Sequence, residues 1–130
     1  DFERKLAQDI ADLKINVELV NRSFENFSGG EAKKMELFQA KILKPRFLIL
    51  DEIDSGLDID NLRLIAENIQ QMVKDNNAPG ILLITHYPRI LKFVKPDFLH
   101  VLMYGRIVRS DGPKLIQKIE KKGYQWLTKR

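Results

Sequence analysis

Read for hydrophobic period alone, the chain alternates between helical and extended stretches. Phe2, Leu6, Ile10, Leu13, Val17 and Val20 recur at steps of four and three, which predicts an amphipathic helix broken near residues 14–16. Ser28 followed by Glu31 reads as a capping box, so a second helix is predicted from Ser28 to about Leu43. Its apolar residues are Leu37, Phe38, Ile42 and Leu43, and Lys44-Pro45 ends it. The solid apolar run Phe47-Leu48-Ile49-Leu50 reads as a short strand buried on both faces, ending abruptly in Asp51-Glu52. Asp58 is then placed to cap a third helix with the stripe Leu62, Ile65, Ala66, Ile69, Met72 and Val73.

Asn76-Asn77-Ala78-Pro79-Gly80 reads as a turn, and residues 81–85 as a second apolar strand ending at His86. A short helix is predicted over residues 89–94. Strands over 98–103 and 106–109 flank Tyr104-Gly105, a hairpin turn, and a last helix over 113–122 stops at Gly123. Strand–helix–strand alternation predicts an α/β fold with a mostly parallel sheet and flanking helices. No repeat or low-complexity segment interrupts it.

Bulk properties narrow the function classes. The 130 residues suit one compact domain, and 44% hydrophobic with 31% charged residues fits a globular chain, not a disordered one. Without cysteine there is no disulfide frame and no thiolate site for a metal or cluster. No apolar run is long enough to span a bilayer. The net charge of +4 comes from bases mixed with acids, with short pairs such as Lys33-Lys34 and Lys121-Lys122. That pattern describes a basic surface and argues against a nucleic-acid interface.

Two stretches carry chemistry. Gly29 and Gly30 leave the first turn of the second helix bare, which suits an oxygen-rich anion at its positive end. Asp51 and Glu52 stand at the C-terminal edge of a strand, where open α/β sheets bind ligands. Adjacent strand residues point to opposite sides, so one carboxylate can hold a hydrated Mg²⁺ while the other orients an attacking water. Taken singly, each motif has a plainer meaning: a turn, a solvated loop, a structural histidine. Lys33 and Lys34 read equally as solvated surface or as partners for phosphate or for Glu52.

In order and spacing the motifs resemble the ATP-binding-cassette (ABC) family of P-loop NTPases. Ser28-Gly29-Gly30 resembles its signature motif, Phe47–Asp51 its Walker B strand, and Glu52 its catalytic glutamate. Ser55-Gly56-Leu57-Asp58 resembles its D-loop, and Thr85-His86-Tyr87 its switch histidine. The resemblance implies an ATPase that dimerises head to tail around ATP. Glu52 and His86 would be catalytic, and Asp51 would hold Mg²⁺ through water. Ser28, Gly29, Gly30 and Glu31 would bind the partner's ATP, with Asp58 lining the dimer contact.

One departure is an absence: no G-x-x-x-x-G-K-[ST] occurs in these 130 residues. The chain therefore resembles the C-terminal portion of such an ATPase. Residues 1–44 would be part of its helical subdomain, and 45–130 part of its ATPase core. The chain opens directly in helix pattern and is expected to begin in mid-domain. A gap is expected between the strand before His86 and the strand over 98–103, and alone the chain is expected neither to bind ATP tightly nor to hydrolyse it.

Local words resemble one branch of the family, the soluble ATPases of SUF iron–sulfur cluster assembly. They are Glu31 in place of glutamine, Asp54-Ser55, residues 85–91, residues 95–102 and the ending Gly123-Tyr124-Gln125-Trp126-Leu127. Ala32 and Lys34 depart from that branch. It implies SufB/SufD-type β-helical scaffold proteins as partners, with the cytoplasm or a plastid stroma as location and no membrane insertion. The ATPase of an ABC transporter, or a non-catalytic interaction module, are the competing readings.

Overall fold

A computed structural model describes residues 2–74 and 78–127, except the side chains of Val20 and Asn21. Helix α1 (Phe2–Asp12) is followed by 3₁₀ turns at Val17–Asn21 and Phe24–Asn26, then by α2 (Gly29–Leu43) and strand β1 (Phe47–Asp51). Helix α3 (Ile59–Met72) leads to β2 (Gly80–Ile84) and a 3₁₀ turn at Pro88–Lys92. Strands β3 (Leu99–Met103) and β4 (Arg106–Asp111), helix α4 (Lys114–Lys122) and a 3₁₀ turn at Gln125–Leu127 complete the order.

The predicted break in the first helix is present. Lys14 adopts a left-handed φ of 49°, and the Asn16 side chain accepts from the Glu18 N–H at 3.0 Å to start the next turn. The break shifts the helical period, and this corrects the apolar face. Leu13, Ile15 and Leu19 are buried, Leu6 and Ile10 pack partly against them, and Phe2 and Val17 stand in solvent. The side chain of Val20 lies outside the described residues.

Helix α2 begins with the predicted capping box and buries Met35, Leu37, Phe38 and Ala40. Leu43, expected in its core face, is 77% exposed, because left-handed Lys44 turns the chain away directly after it. Helix α3 buries its whole stripe from Leu62 to Met72, while Val73, at the C-cap, escapes it. The predicted turn after α3 falls partly on Asn76 and Asn77, which lie outside the described residues.

Strands β1 and β2 pair in parallel, Phe47 with Gly80 through Asp51 with Ile84, and α3 is their crossover. Burial on both faces was the expectation, and here the strands differ. Leu48, Leu50, Ile81 and Leu83 pack on the core, whereas Phe47, Ile49, Leu82 and Ile84 are exposed. Successive side chains alternate across a strand, and the core lies on one side only.

The second pair is an antiparallel hairpin. Tyr104 (φ 51°) and Gly105 (φ 73°) both take positive φ, the combination a two-residue turn needs to match strand twist. Val101 of β3 packs with Leu115 and Ile119 of α4 in a smaller core that Trp126 and Leu127 partly cover. The Trp126 Nε1–H donates to the Gly123 carbonyl at 2.8 Å, fixing the ring. The expected short helix over 89–94 is a 3₁₀ turn, opened by Pro88. The expected mostly parallel sheet resolves into one parallel and one antiparallel pair. Among the described residues, β2 and β3 belong to separate two-stranded sheets.

Candidate functional site

The C-terminal edge of β1 and β2 assembles three of the residues singled out from the sequence. Asp51 ends β1 opposite Ile84, and the Glu52 N–H extends the ladder by donating to the Ile84 carbonyl at 2.9 Å. Glu52 itself sits at φ 48°, in the left-handed region that disfavours a residue with a Cβ. The Ser55 N–H closes the turn onto the Glu52 carbonyl at 3.0 Å. With the backbone held this way, Glu52 Oε1 lies 2.9 Å from His86 Nδ1, and both side chains are about half exposed, at 53% and 54%. The Tyr87 ring stacks at a tilt, 3.9 Å from the imidazole. An exposed carboxylate–imidazole contact of this kind adds little stability, and both groups remain accessible to a ligand.

A second group gathers at two helix N-termini. The Ser28 N–H donates to Glu31 Oε2 at 2.8 Å, and the Glu31 N–H donates to Ser28 Oγ at 3.3 Å. Asp58 caps α3, its Oδ1 accepting from the Asn61 N–H at 2.8 Å and its Oδ2 from the Asn61 amide at 2.7 Å. A Cβ on Gly30 would lie 3.7 Å from Leu57 and 3.8 Å from Asn61, so the start of α2 abuts the start of α3. Gly29 has open space beside it, with nothing within 4 Å of its Cβ position. Ser28–Glu31 and Asp58 are thus neighbours. Asp51, Glu52 and His86 form the other set, and no hydrogen bond or ion pair among the described residues joins the two.

The caps set the charge of this second group. The Ser28 N–H, and after it the Ser28 hydroxyl, hold the Glu31 carboxyl below its ordinary range. The Asn61 N–H, followed by the Asn61 side chain, does the same for Asp58. Depressed folded values mean that this stabilisation is fully present above the unfolded carboxylate range, near pH 4, and is lost as pH falls through the folded values. The thermal midpoint is therefore expected to drop on acidification below about pH 4. Asp58→Asn, which keeps a capping side chain, is expected to flatten that limb. An acid limb as steep as in the parent chain would contradict this assignment.

The Lys33 ammonium pairs with Glu36 at 3.3 Å, and the ionisable partner of Glu52 is His86, not Lys33. Sequence reasoning used Asp54 and Arg89 only within the words of the resemblance and gave neither a role in the site. Asp54 is fully buried, and its Oδ2 accepts from the Thr85 hydroxyl at 2.7 Å. Arg89 Nη2 donates to the Leu57 carbonyl at 2.8 Å. Asp54 stands amid motif residues, and nothing in its spacing distinguishes a buried acid from a solvated one.

No family model matches the chain. Curated proteins do. The chain is 44% identical over 127 residues to Vegetative protein 296 of Bacillus subtilis (strain 168), covering 97% of this chain and 48% of that protein. It is 43% identical over 131 residues to the probable ATP-dependent transporter SufC of Escherichia coli (strain K12), covering 100% of this chain and 52% of that protein. The probable ATP-dependent transporter ycf16 of Cyanophora paradoxa is 47% identical over 116 residues, 88% of this chain and 44% of that protein. The chain is a relative of the SufC-type ABC ATPases.

It spans about half the length of these curated relatives. The match to the Escherichia coli protein covers the whole chain, so every candidate residue from Ser28 to His86 lies within it. Asp51, exposed at the strand end, is the kind of single carboxylate that Mg²⁺ uses alongside phosphate oxygens and water. Among the described residues no cluster of three or more metal-ligating side chains forms a protein-only cage. No helix among the described residues is long and apolar enough to cross a membrane.

Proposed function

We propose that the chain carries the signature, Walker B, D-loop and switch-histidine parts of an ATP-hydrolysing subunit that works as an ATP-dependent dimer. Residues 1–44 supply part of its helical subdomain, and residues 45–130 part of its ATPase core. The observation that supports this best is the 2.9 Å contact between Glu52 and His86 at the carboxyl edge of adjacent parallel strands. Glu52 orients the attacking water and accepts its proton. With His86 Nδ1 facing Glu52, the other ring nitrogen is left to meet a γ-phosphate oxygen. Asp51 would hold Mg²⁺, which when bound would neutralise phosphate charge as it develops. Ser28, Gly29, Gly30 and Glu31 present the N–H groups of α2 to the nucleotide of the partner subunit, and Asp58 lines the contact. Catalysis of this kind rests on positioning and charge stabilisation.

The local words around Asp54-Ser55 and Tyr87–Leu91, together with the name SufC of one relative, favour a role in SUF iron–sulfur cluster assembly. SufB/SufD-type scaffolds are then the partners, in the cytoplasm or a plastid stroma. The words "ATP-dependent transporter" in the same names favour a second reading, an ATPase coupled to a membrane permease. Co-purification with a membrane fraction would select that second reading, and co-purification with soluble scaffold proteins the first.

The test is nucleotide binding and turnover, compared between this 130-residue chain and the protein at the length its source cells make. The native-length protein is expected to hydrolyse Mg·ATP. The 130 residues contain no P-loop sequence, so on their own they are expected to show no micromolar affinity and no turnover. Micromolar ATP affinity of the isolated chain would contradict this division of the site.

A further inference from the structure

We propose that Asp54, Thr85 and Arg89 form a partly buried latch beside the exposed Glu52–His86 pair, with Asp54 and Thr85 acting as positioning residues for turnover. The inference rests on the ATPase reading and adds to it the part that holds the two catalytic side chains in register. Asp54 follows Glu52 by two residues, and Thr85 immediately precedes His86. The Thr85 hydroxyl donates to Asp54 Oδ2 at 2.7 Å and accepts from the Tyr87 N–H at 2.9 Å. Its one proton is directed to the carboxylate, because the alternative acceptor, the Tyr87 carbonyl, stands farther off at 3.3 Å. A single side-chain oxygen thereby ties the loop after β1 to the backbone on both sides of His86.

Arg89 extends the tie. Its Nη2 donates to the Leu57 carbonyl at 2.8 Å and lies 3.5 Å from the Asp54 carbonyl, while its guanidinium stands 5.3 Å from the centre of the Tyr87 ring. Leu57 adjoins Asp58, so the segment after β2 grips the loop that caps α3. The choice of residues is informative because it is costly. Asp54 is wholly buried, and its Oδ1 and the Arg89 Nε are buried without a protein partner. Apolar residues would serve packing at lower cost, whereas directed bonds fix one geometry. The Glu52–His86 pair needs such fixing, since a half-exposed carboxylate and imidazole do not hold each other firmly.

Thr85→Val keeps the shape of the side chain and removes the hydroxyl, and Thr85→Ser keeps the hydroxyl. In the 130-residue chain, amide hydrogen exchange at Ser55, whose N–H bonds to the Glu52 carbonyl, is expected to speed up about tenfold or more in Thr85→Val. The amides of β1 should be unchanged, and Thr85→Ser should exchange like the parent. In the native-length protein, Thr85→Val is expected to lower kcat about tenfold or more while leaving KM for ATP within about twofold, with Thr85→Ser restoring kcat. Unchanged exchange at Ser55 overturns the latch. Faster exchange with unchanged kcat also overturns its role in turnover and leaves a purely structural contact. Should the parent native-length protein hydrolyse no ATP, the ATPase reading fails, and the exchange measurement still decides whether the latch exists.

Discussion

Glu52→Gln in the native-length protein is expected to lower ATP turnover by about 10²- to 10⁴-fold, the range that removal of a general base costs. The side chain keeps its size and its hydrogen-bonding reach to His86 Nδ1, now 2.9 Å from Glu52 Oε1. What it loses is the charge that polarises water. The strained φ of 48° at Glu52 belongs to the backbone and is kept by the substitution. Because the pair is half exposed, the fold should be nearly indifferent to the change. ATP binding and ATP-driven association should likewise survive, since Ser28–Glu31 and Asp58 stand apart from Glu52. Phosphate release under saturating Mg·ATP measures the effect, and parent-like turnover by the variant would remove Glu52 from its role.

Leu62→Ala is expected to destabilise the chain by about 3 kcal/mol, within the range for emptying a fully buried leucine site. Leu62 has no exposed surface, and it joins the largest core cluster, which draws on α1, α2, β1, α3 and the segment after β2. Against a total stability of about 5–15 kcal/mol, that loss should lower the thermal midpoint by roughly 10 °C. Val73→Ala at the end of the same helix removes a side chain that is 42% exposed, and should cost under about 1 kcal/mol. Circular-dichroism melts of both variants measure the contrast. Equal losses would show that the α3 stripe does not carry the core.

Much of this fold could be read from the sequence because its punctuation is local. Ser28 with Glu31, Asp58, Tyr104-Gly105 and Gly123 each satisfy or shape backbone within a few residues, so their chemistry is visible in the order of the chain. Periodicity succeeded where helices run unbroken, as along Leu62–Met72, and failed where the chain turned. Val17 and Leu43 fit a period and still face solvent, one beyond the break at Lys14 and the other at the left-handed exit of α2.

Long-range polar contacts were the hidden part. Lys41 is nearly buried between Asp9 and Asp12 of α1, at 2.9 and 3.8 Å, and Asn68 of α3, at 2.9 Å. Lys41 and Asn68 are distant in sequence from each other and from α1, and no local spacing marks their meeting. The candidate site divides the same way. Its residues were named from their motifs, while the Asp54–Thr85 bond that spans the two loops appears only when they are folded together.

The central claim is that two copies close over ATP with the α2 N-terminus of each facing the nucleotide of the other. Sedimentation of the native-length Glu52→Gln protein tests it most directly, because blocked turnover would preserve the closed state. Expected is a doubling of mass on adding Mg·ATP, lost on adding Gly29→Glu, whose Cβ would have no atom within 4 Å in this chain and which sets a carboxylate where the phosphate should bind. A mass unchanged by Mg·ATP, or a doubling that Gly29→Glu leaves intact, would contradict it.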